Sequence, residues 1–204
     1  MLAIIDYDIG NLGAIANMLT RLGARATITS DPEEVGAAAG LILPGNGSFD
    51  ACMSGLRSTG LLPIIEKSVF DRKVPLLGIC VGAQMLGNGS EEGKQRGLGW
   101  MDMTVHKFPA SASLRVPHMG WRSVTVTQPC DPIGGAIEPD SRFYFVHSYF
   151  LKPASDANVF LQANYGLDFA AGVVKDNIYG VQFHPEKSHR FGKNLLRAFK
   201  ELCG

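Results

Sequence analysis

The sequence predicts an α/β fold: a central, mostly parallel sheet with helices on both faces, and a strand-rich second half. Three observations carry this. Short apolar runs alternate with helical patterns over the first hundred or so residues. Those runs are continuous, as strands buried on both faces require. Beyond about residue 100, strand patterns follow one another with few helices between them.

The elements follow in order. The apolar run 2–6 is the first strand. Leu12, Ile15, Ala16, Leu19 and Leu22 then recur on one helical face, and Gly23 stops that helix. Residues 26–30 read as a second strand, and Asp31-Pro32-Glu33-Glu34 as a helix start. Gly40-Leu41-Ile42-Leu43-Pro44 is a buried strand entering the glycine loop Gly45-Asn46-Gly47. Residues 49–70 read as helical, and 74–79 as a buried strand that enters a turn at Cys80. In the second half, 106–117 reads as loop, and 121–127, 142–150 and 158–165 as strands. Residues 165–174 and 178–183 form a hairpin around Asp176-Asn177. The last helix starts near Ser188, with Phe191, Leu195 and Phe199 four apart. Residues 1–204 read as a single domain.

Composition narrows the function. Lys+Arg and Asp+Glu both number 19. A neutral chain lacks the charge for an electrostatic grip on nucleic acid or an anionic membrane. No apolar run approaches the roughly 20 residues that span a bilayer. The N-terminus has no basic segment and meets Asp6 early, so it does not read as a signal peptide. Cys52, Cys80, Cys130 and Cys203 are scattered, with no spacing for zinc and too few for a stapled secreted scaffold. A reducing cytoplasm is expected, with no metal and no cofactor.

Gly78-Ile79-Cys80-Val81-Gly82 follows a buried strand and opens a helical run. This is the pattern of a nucleophile elbow, with Cys in place of Ser. Small flanking residues let the backbone turn tightly. The helix N-terminus favours the anionic sulfur, and the Val81 amide would point at an oxyanion. Taken alone, a buried cysteine in a strand–turn–helix corner is an equal reading. His184-Pro185-Glu186 ends another strand pattern. Residues two apart share a face in extended chain, and Pro185 biases His184 towards that geometry. One carboxylate can then orient one imidazole, as a cysteine–base–orienter triad needs. The bland alternative is a surface turn with a solvated glutamate.

With these motifs the chain resembles the class I, or triad, glutamine amidotransferases. Further segments narrow the resemblance: IIDYDIGNLGAI at 4–15, LILPGNGSFD at 41–50, SEEG at 90–93, VPHMGW at 116–121, FYFVHSYF at 143–150 and KDNIYGVQFHPEKS at 175–188. Together they are similar to the HisH family, glutaminase subunits of imidazole glycerol phosphate synthases. The resemblance implies a flavodoxin-like amidotransferase fold, L-glutamine as substrate, and a heterodimeric partner, the β/α-barrel cyclase HisF. It implies Cys80, His184 and Glu186 as the catalytic triad, and Gln84, Glu92 and the backbone of His147-Ser148-Tyr149 as glutamine-binding. It places the oxyanion amides at Val81 and near Asn46 or Gly47. Asn11, Trp121 and Lys187 match positions at or near the partner-facing side.

The residues support part of this unaided. A Gly-Asn-Gly loop at a strand end offers free amides where α/β sites form, although a plain turn is the alternative. Gln84 lies one helical turn beyond Cys80 and can face the same pocket, or be an exposed helix residue. His147, in an apolar aromatic run, reads equally as a satisfied core histidine. His106, His118 and His189 read as structural or surface residues, and Cys52, Cys130 and Cys203 as inert.

Two departures stand out. Family members usually carry valine where this chain has Asn46, in a peptide thought to flip when the partner's substrate binds. Asn enters the left-handed region more easily, so looser resting suppression is expected. The segments HPEKSHRFG and LGNGSEEGKQ are similar to HisH-like paralogues that supply ammonia for amidino-sugars of surface polysaccharides. A cysteine peptidase or γ-glutamyl hydrolase on the same scaffold is a further alternative.

Overall fold

The computed structural model describes residues 1–109 and 114–204. Strands β1 (Leu2–Ile5), β2 (Ala26–Thr29), β3 (Gly40–Leu43) and β4 (Leu76–Ile79) alternate with helices α1 (Leu12–Arg21), α2 (Pro32–Ala37), α3 (Phe49–Ser58), α4 (Leu62–Glu66) and α5 (Val81–Met85). Then come β5 (Gly89–Ser90), β6 (Met103–Lys107), β7 (His118–Ser123), β8 (Thr125–Val126), β9 (Arg142–His147), β10 (Tyr149–Pro153), β11 (Val159–Asn164), β12 (Asp168–Lys175) and β13 (Ile178–Val181). Helix α6 (His189–Leu202) closes the chain.

The main sheet runs β2-β1-β3-β4-β13-β12-β10-β6-β5. Its first five strands are parallel, and from β13 to β12, β10 and β6 the pairing is antiparallel. Every residue of β1, β3, β4 and β13 is buried, which is why those segments are continuous apolar runs. The chain moves one way from β1 to β2 and the other way from β2 to β3. Right-handed crossovers therefore put α1 and α2 on opposite faces. The helix contacts agree: α1 meets α6, α2 meets α4, and α3 meets α5. The order 2-1-3-4 plus a fifth parallel strand is flavodoxin-like, and such sheets place sites beyond the carboxyl ends of the strands.

Local chemistry explains several boundaries. Asp31 caps α2, its Oδ1 accepting from the Glu33 amide at 2.8 Å, with Pro32 at the first helical position. Asp176, at φ 54°, turns the β12–β13 hairpin, in which Lys175 faces Ile178. The expected helix over 49–70 is broken, because Gly60 adopts φ 71° after α3. The expected strand 142–150 is two strands in two sheets: β9 pairs with β7, and β10 joins the main sheet. Strand β6 lies partly where loop was expected. Residues 110–113 of that stretch fall outside the described residues. No described helix is long and apolar enough to cross a membrane.

Candidate active site

The ends of β3, β4 and β13 bring three segments together. Cys80 leaves β4 with φ 55° and ψ −114°. A non-glycine residue held there stores about 1–3 kcal/mol. Its surroundings enforce the turn: the Cys80 amide donates to the Val181 carbonyl at 2.8 Å, and its carbonyl accepts from Ala83 at 3.0 Å and Gln84 at 3.1 Å. The flanking glycines are steric necessities. A methyl group on Gly82 would strike the Leu43 carbonyl oxygen, and one on Gly78 would lie 2.8 Å from the Ala83 Cα.

His184 follows β13, and its amide donates to the Tyr144 carbonyl at 3.0 Å. The Ser188 hydroxyl donates to the His184 carbonyl at 2.6 Å and accepts from the Tyr144 amide at 3.0 Å, which fixes the backbone of the turn. The His184 Nδ1 donates to Glu186 Oε1 at 2.8 Å, with the glutamate side chain fully buried. That bond sets the tautomer and leaves Nε2 unengaged by Glu186, and no described group pairs with Nε2 in hydrogen-bond geometry. Cys80 is the neighbour that acts on it. Burial opposes a charge on His184, but Cys80 and Glu186 outweigh it and raise the imidazole from 6.5 to about 9.

The sign of the pH dependence follows. The His184 contribution to stability is complete below the unfolded value of 6.5 and is lost as pH rises through about 9. Turnover that needs the imidazolium as proton donor is expected to fall along an alkaline limb near pH 9. A kcat–pH profile checks this, and one still flat at about pH 10 would remove His184 from the proton path.

A cleft of about 260 Å³ opens over the elbow. Cys80 and Val81 line it from the elbow, Asn46 and Gly47 from the loop after β3, and His147, Ser148 and Tyr149 from the break between β9 and β10. Gln84 and Glu92 complete the set of residues singled out in the sequence. Larger cavities, of about 430, 600 and 760 Å³, do not reach Cys80.

The glycine loop is held from several sides. The Tyr7 hydroxyl bonds the Pro44 carbonyl, and the Cys52 thiol donates to the Asn46 carbonyl at 3.4 Å. Cys52, expected to be inert filler, thus supports the cleft wall. The Gly47 amide donates to Asn46 Oδ1 at 3.0 Å. In this conformation it is engaged by a side chain rather than free for an oxyanion. Asn46 thus ties its own loop through a side-chain bond.

Glu92 and Asp50 form a reciprocal clasp. Glu92 Oε2 accepts the Phe49 amide at 2.8 Å, at the start of α3. The Asp50 carboxylate accepts from the Lys94 amide at 3.0 and 3.1 Å and from the Gln95 amide at 3.0 Å. These backbone donors hold the Asp50 carboxyl below its usual range. The loop carrying Glu92 is thereby tied to the helix that follows the glycine loop. Asp50→Ala is expected to raise KM for glutamine about fivefold with little change in kcat, the scale of one net hydrogen bond. Steady-state kinetics of the variant check it.

His147 is buried, and its ring serves the backbone. Nδ1 donates to the Tyr149 carbonyl at 2.7 Å, closing a turn around Ser148. Nε2 then accepts from His118 Nδ1 at 2.9 Å. Burial lowers His147 to about 3 and His118 to about 4, so both rings are neutral near pH 7. Of the expected partner-facing residues, none lines the cleft. Asn11 is exposed at the head of α1, and Lys187 is exposed in the Pro185–Lys187 turn that α1 packs against. Trp121 is half-buried and stacks on His189 at 5.5 Å.

Sequence reasoning missed Gln182, fully buried beside Cys80, although its place two residues before His184 put it on the same extended face. It also missed Asp50, Tyr7 and the pairing of His118, for which no local signal exists.

The class-I glutamine amidotransferase family profile matches residues 3–202. Imidazole glycerol phosphate synthase subunit HisH 2 of Pseudomonas aeruginosa is 46% identical over 202 residues, covering 99% of this chain and 100% of that protein. HisH 2 of Methanococcus maripaludis is 48% identical over 199 residues, with 98% of each chain covered. HisH of Bdellovibrio bacteriovorus is 44% identical over 205 residues. Two solved structures share the fold: one described as a glutamine amidotransferase, at 22% identity and TM-score 0.77 over 99% of this chain and 98% of that one, and PurLQS from Thermotoga maritima, at 18% and 0.74 over 100% and 98%. The peptidase reading falls with these matches. The chain belongs to the class-I glutamine amidotransferases and, within them, to the HisH family of imidazole glycerol phosphate synthase subunits.

Proposed function

We propose that this protein is the glutaminase subunit of an imidazole glycerol phosphate synthase. It hydrolyses L-glutamine and passes the ammonia to a HisF-type β/α-barrel cyclase, which forms imidazole glycerol phosphate and AICAR in histidine biosynthesis. The observation that carries the reading is the strained Cys80 elbow beside the buried His184–Glu186 pair, at the floor of a cleft sized for one amino acid. Cytoplasmic location fits a subunit with four free cysteines.

Each step follows from the geometry. The Cys80 sulfur attacks the carboxamide carbon of glutamine, and the carbonyl π pair moves to oxygen. The Val81 amide, in the first turn of α5 where no helix carbonyl is available, receives that oxyanion with help from the glycine loop. Removing one such donor typically costs about 2.7–4 kcal/mol. His184 holds the proton from the thiol and gives it to the departing nitrogen, and Glu186 keeps Nε2 aimed at the sulfur. The C–N bond breaks, ammonia leaves, and a thioester remains. Water, deprotonated by His184, then cleaves the thioester to glutamate and regenerates Cys80. Asn11, Trp121 and Lys187 face the partner, on the α1 and β7–α6 side rather than in the cleft.

The test is glutamate release from glutamine by the purified chain, with and without a HisF-type barrel subunit and its nucleotide substrate. Release is expected to be slow alone and to rise with the complete partner, with imidazole glycerol phosphate as product. Equal release in both conditions without that product would overturn the reading. Two of the relatives are numbered HisH 2. That numbering fits organisms holding more than one such subunit, and it makes an amidino-sugar synthase of surface polysaccharide the second recipient to assay.

A further inference from the structure

Gln182 is fully buried between the nucleophile and the cleft wall. Its Nε2 lies 3.9 Å from the Cys80 sulfur, and its Oε1 lies 3.1 Å from Gln84 Nε2. Donor and acceptor accounting fixes both amides. A nucleophilic sulfur accepts, so Gln182 turns its NH₂ to Cys80 and its oxygen to Gln84. Gln84 must then present its own NH₂, which reaches Gln182 and, at 3.4 Å, the Tyr149 carbonyl. Reversing Gln84 would set oxygen against oxygen at both contacts. Among the described residues the Gln84 Oε1 is left buried and without a partner, on a residue that lines the cleft. A buried, unpaired carbonyl oxygen is unstable until a donor reaches it.

We propose that Gln182 is a positioning residue with two tasks. It donates to the Cys80 sulfur, and it fixes Gln84 so that an unpaired carbonyl oxygen awaits the substrate. The chemistry that satisfies this oxygen is an N–H donor, which glutamine carries in its α-ammonium and its carboxamide NH₂. The site thereby favours ligands with a donor at that point over those with only acceptors. This rests on the glutaminase reading of the cleft.

Two variants separate the tasks. Gln182→Met keeps the volume and removes both bonds. Gln182→Glu keeps an acceptor for Gln84 and removes the donor to sulfur. The first readout is iodoacetamide alkylation at neutral pH, followed by mass on the peptide carrying Cys80, because the exposed Cys130 will react as well. It needs neither turnover nor partner. The second is KM and kcat for glutamine in the complex with the barrel subunit. Gln182→Met is expected to alkylate more slowly and to raise KM about fivefold, as for one lost neutral hydrogen bond. Gln182→Glu is expected to alkylate slowly while holding KM within about twofold of the native value. Native alkylation in either variant, or a KM rise in Gln182→Glu equal to that in Gln182→Met, overturns the proposal. Should Gln182→Met not fold, the Gln182→Glu arms decide alone. Protection of native Cys80 by glutamine reports separately on the glutaminase reading, since its absence would sink that reading whatever the variants do.

Discussion

Cys80→Ala is expected to abolish glutamine-dependent synthesis while ammonium-dependent synthesis by the assembled complex survives. The loss is on the order of 10⁶ in kcat, as when a hydrolase triad loses its nucleophile. Cys80→Ser should fall nearly as far, because an alcohol is far less acidic than a thiol and does not give its proton to His184 to form an ion pair. Neither change disturbs the elbow much. The strained dihedrals are imposed by the Val181, Ala83 and Gln84 backbone bonds and by the flanking glycines, not by the sulfur. On the proposed scheme the partner's chemistry needs only ammonia, so ammonium salts should bypass the defect. Assays with glutamine and with ammonium chloride, side by side, check this. Loss of both activities would mean that Cys80 serves the partner's reaction or the assembly itself, and the two-step scheme would fail.

Glu186→Gln is expected to lower kcat by about 10⁴, the scale set by replacing the orienting acid of a triad with its amide. Glu186 Oε1 accepts the hydrogen bond from His184 Nδ1, while Oε2 is buried without a partner among the described residues. An amide has no good pose there. With its oxygen towards Nδ1, its NH₂ is buried unsatisfied. With its NH₂ towards Nδ1, the imidazole must carry its proton on Nε2, and the base facing Cys80 is lost. The carboxylate also helps hold His184 at about 9, so the alkaline limb of the residual activity should move to lower pH. Kinetics across pH check both parts. A loss under about tenfold would reduce Glu186 to a packing role.

What was legible in the sequence is what depends on near neighbours in the chain. A buried strand, Gly-x-Cys-x-Gly and a short helix define the elbow within ten or so residues, and His184-Pro185-Glu186 defines the base and its orienter within three. Gln84 follows from one helical turn. The features that escaped depend on partners far away. Residues 142–150 form one apolar run, and only the pairing of β9 with β7 and the His147–Tyr149 bond divide it at Ser148. Asp50 acts on residues 44 and 45 positions later, and Gln182 on a sulfur 102 positions earlier. The mostly parallel sheet was predicted from the first half, whereas the antiparallel extension is assembled by strands whose alternation is weak. His118 could not be told from a surface histidine, because its burial is made by Phe145 and Tyr165 stacked on either side.

The bond from the Gly47 amide to Asn46 Oδ1 bears on nitrogen economy. Glutamine is a shared currency, and a subunit made in excess of its partner could drain it into unused ammonia. A neutral hydrogen bond is worth about 1 kcal/mol, which is roughly a fivefold change in population. On the proposed scheme, a leak held back by so weak a catch would be graded rather than shut. It would yield to modest binding energy arriving from a neighbouring subunit, and a single substitution would retune it without touching the chemistry.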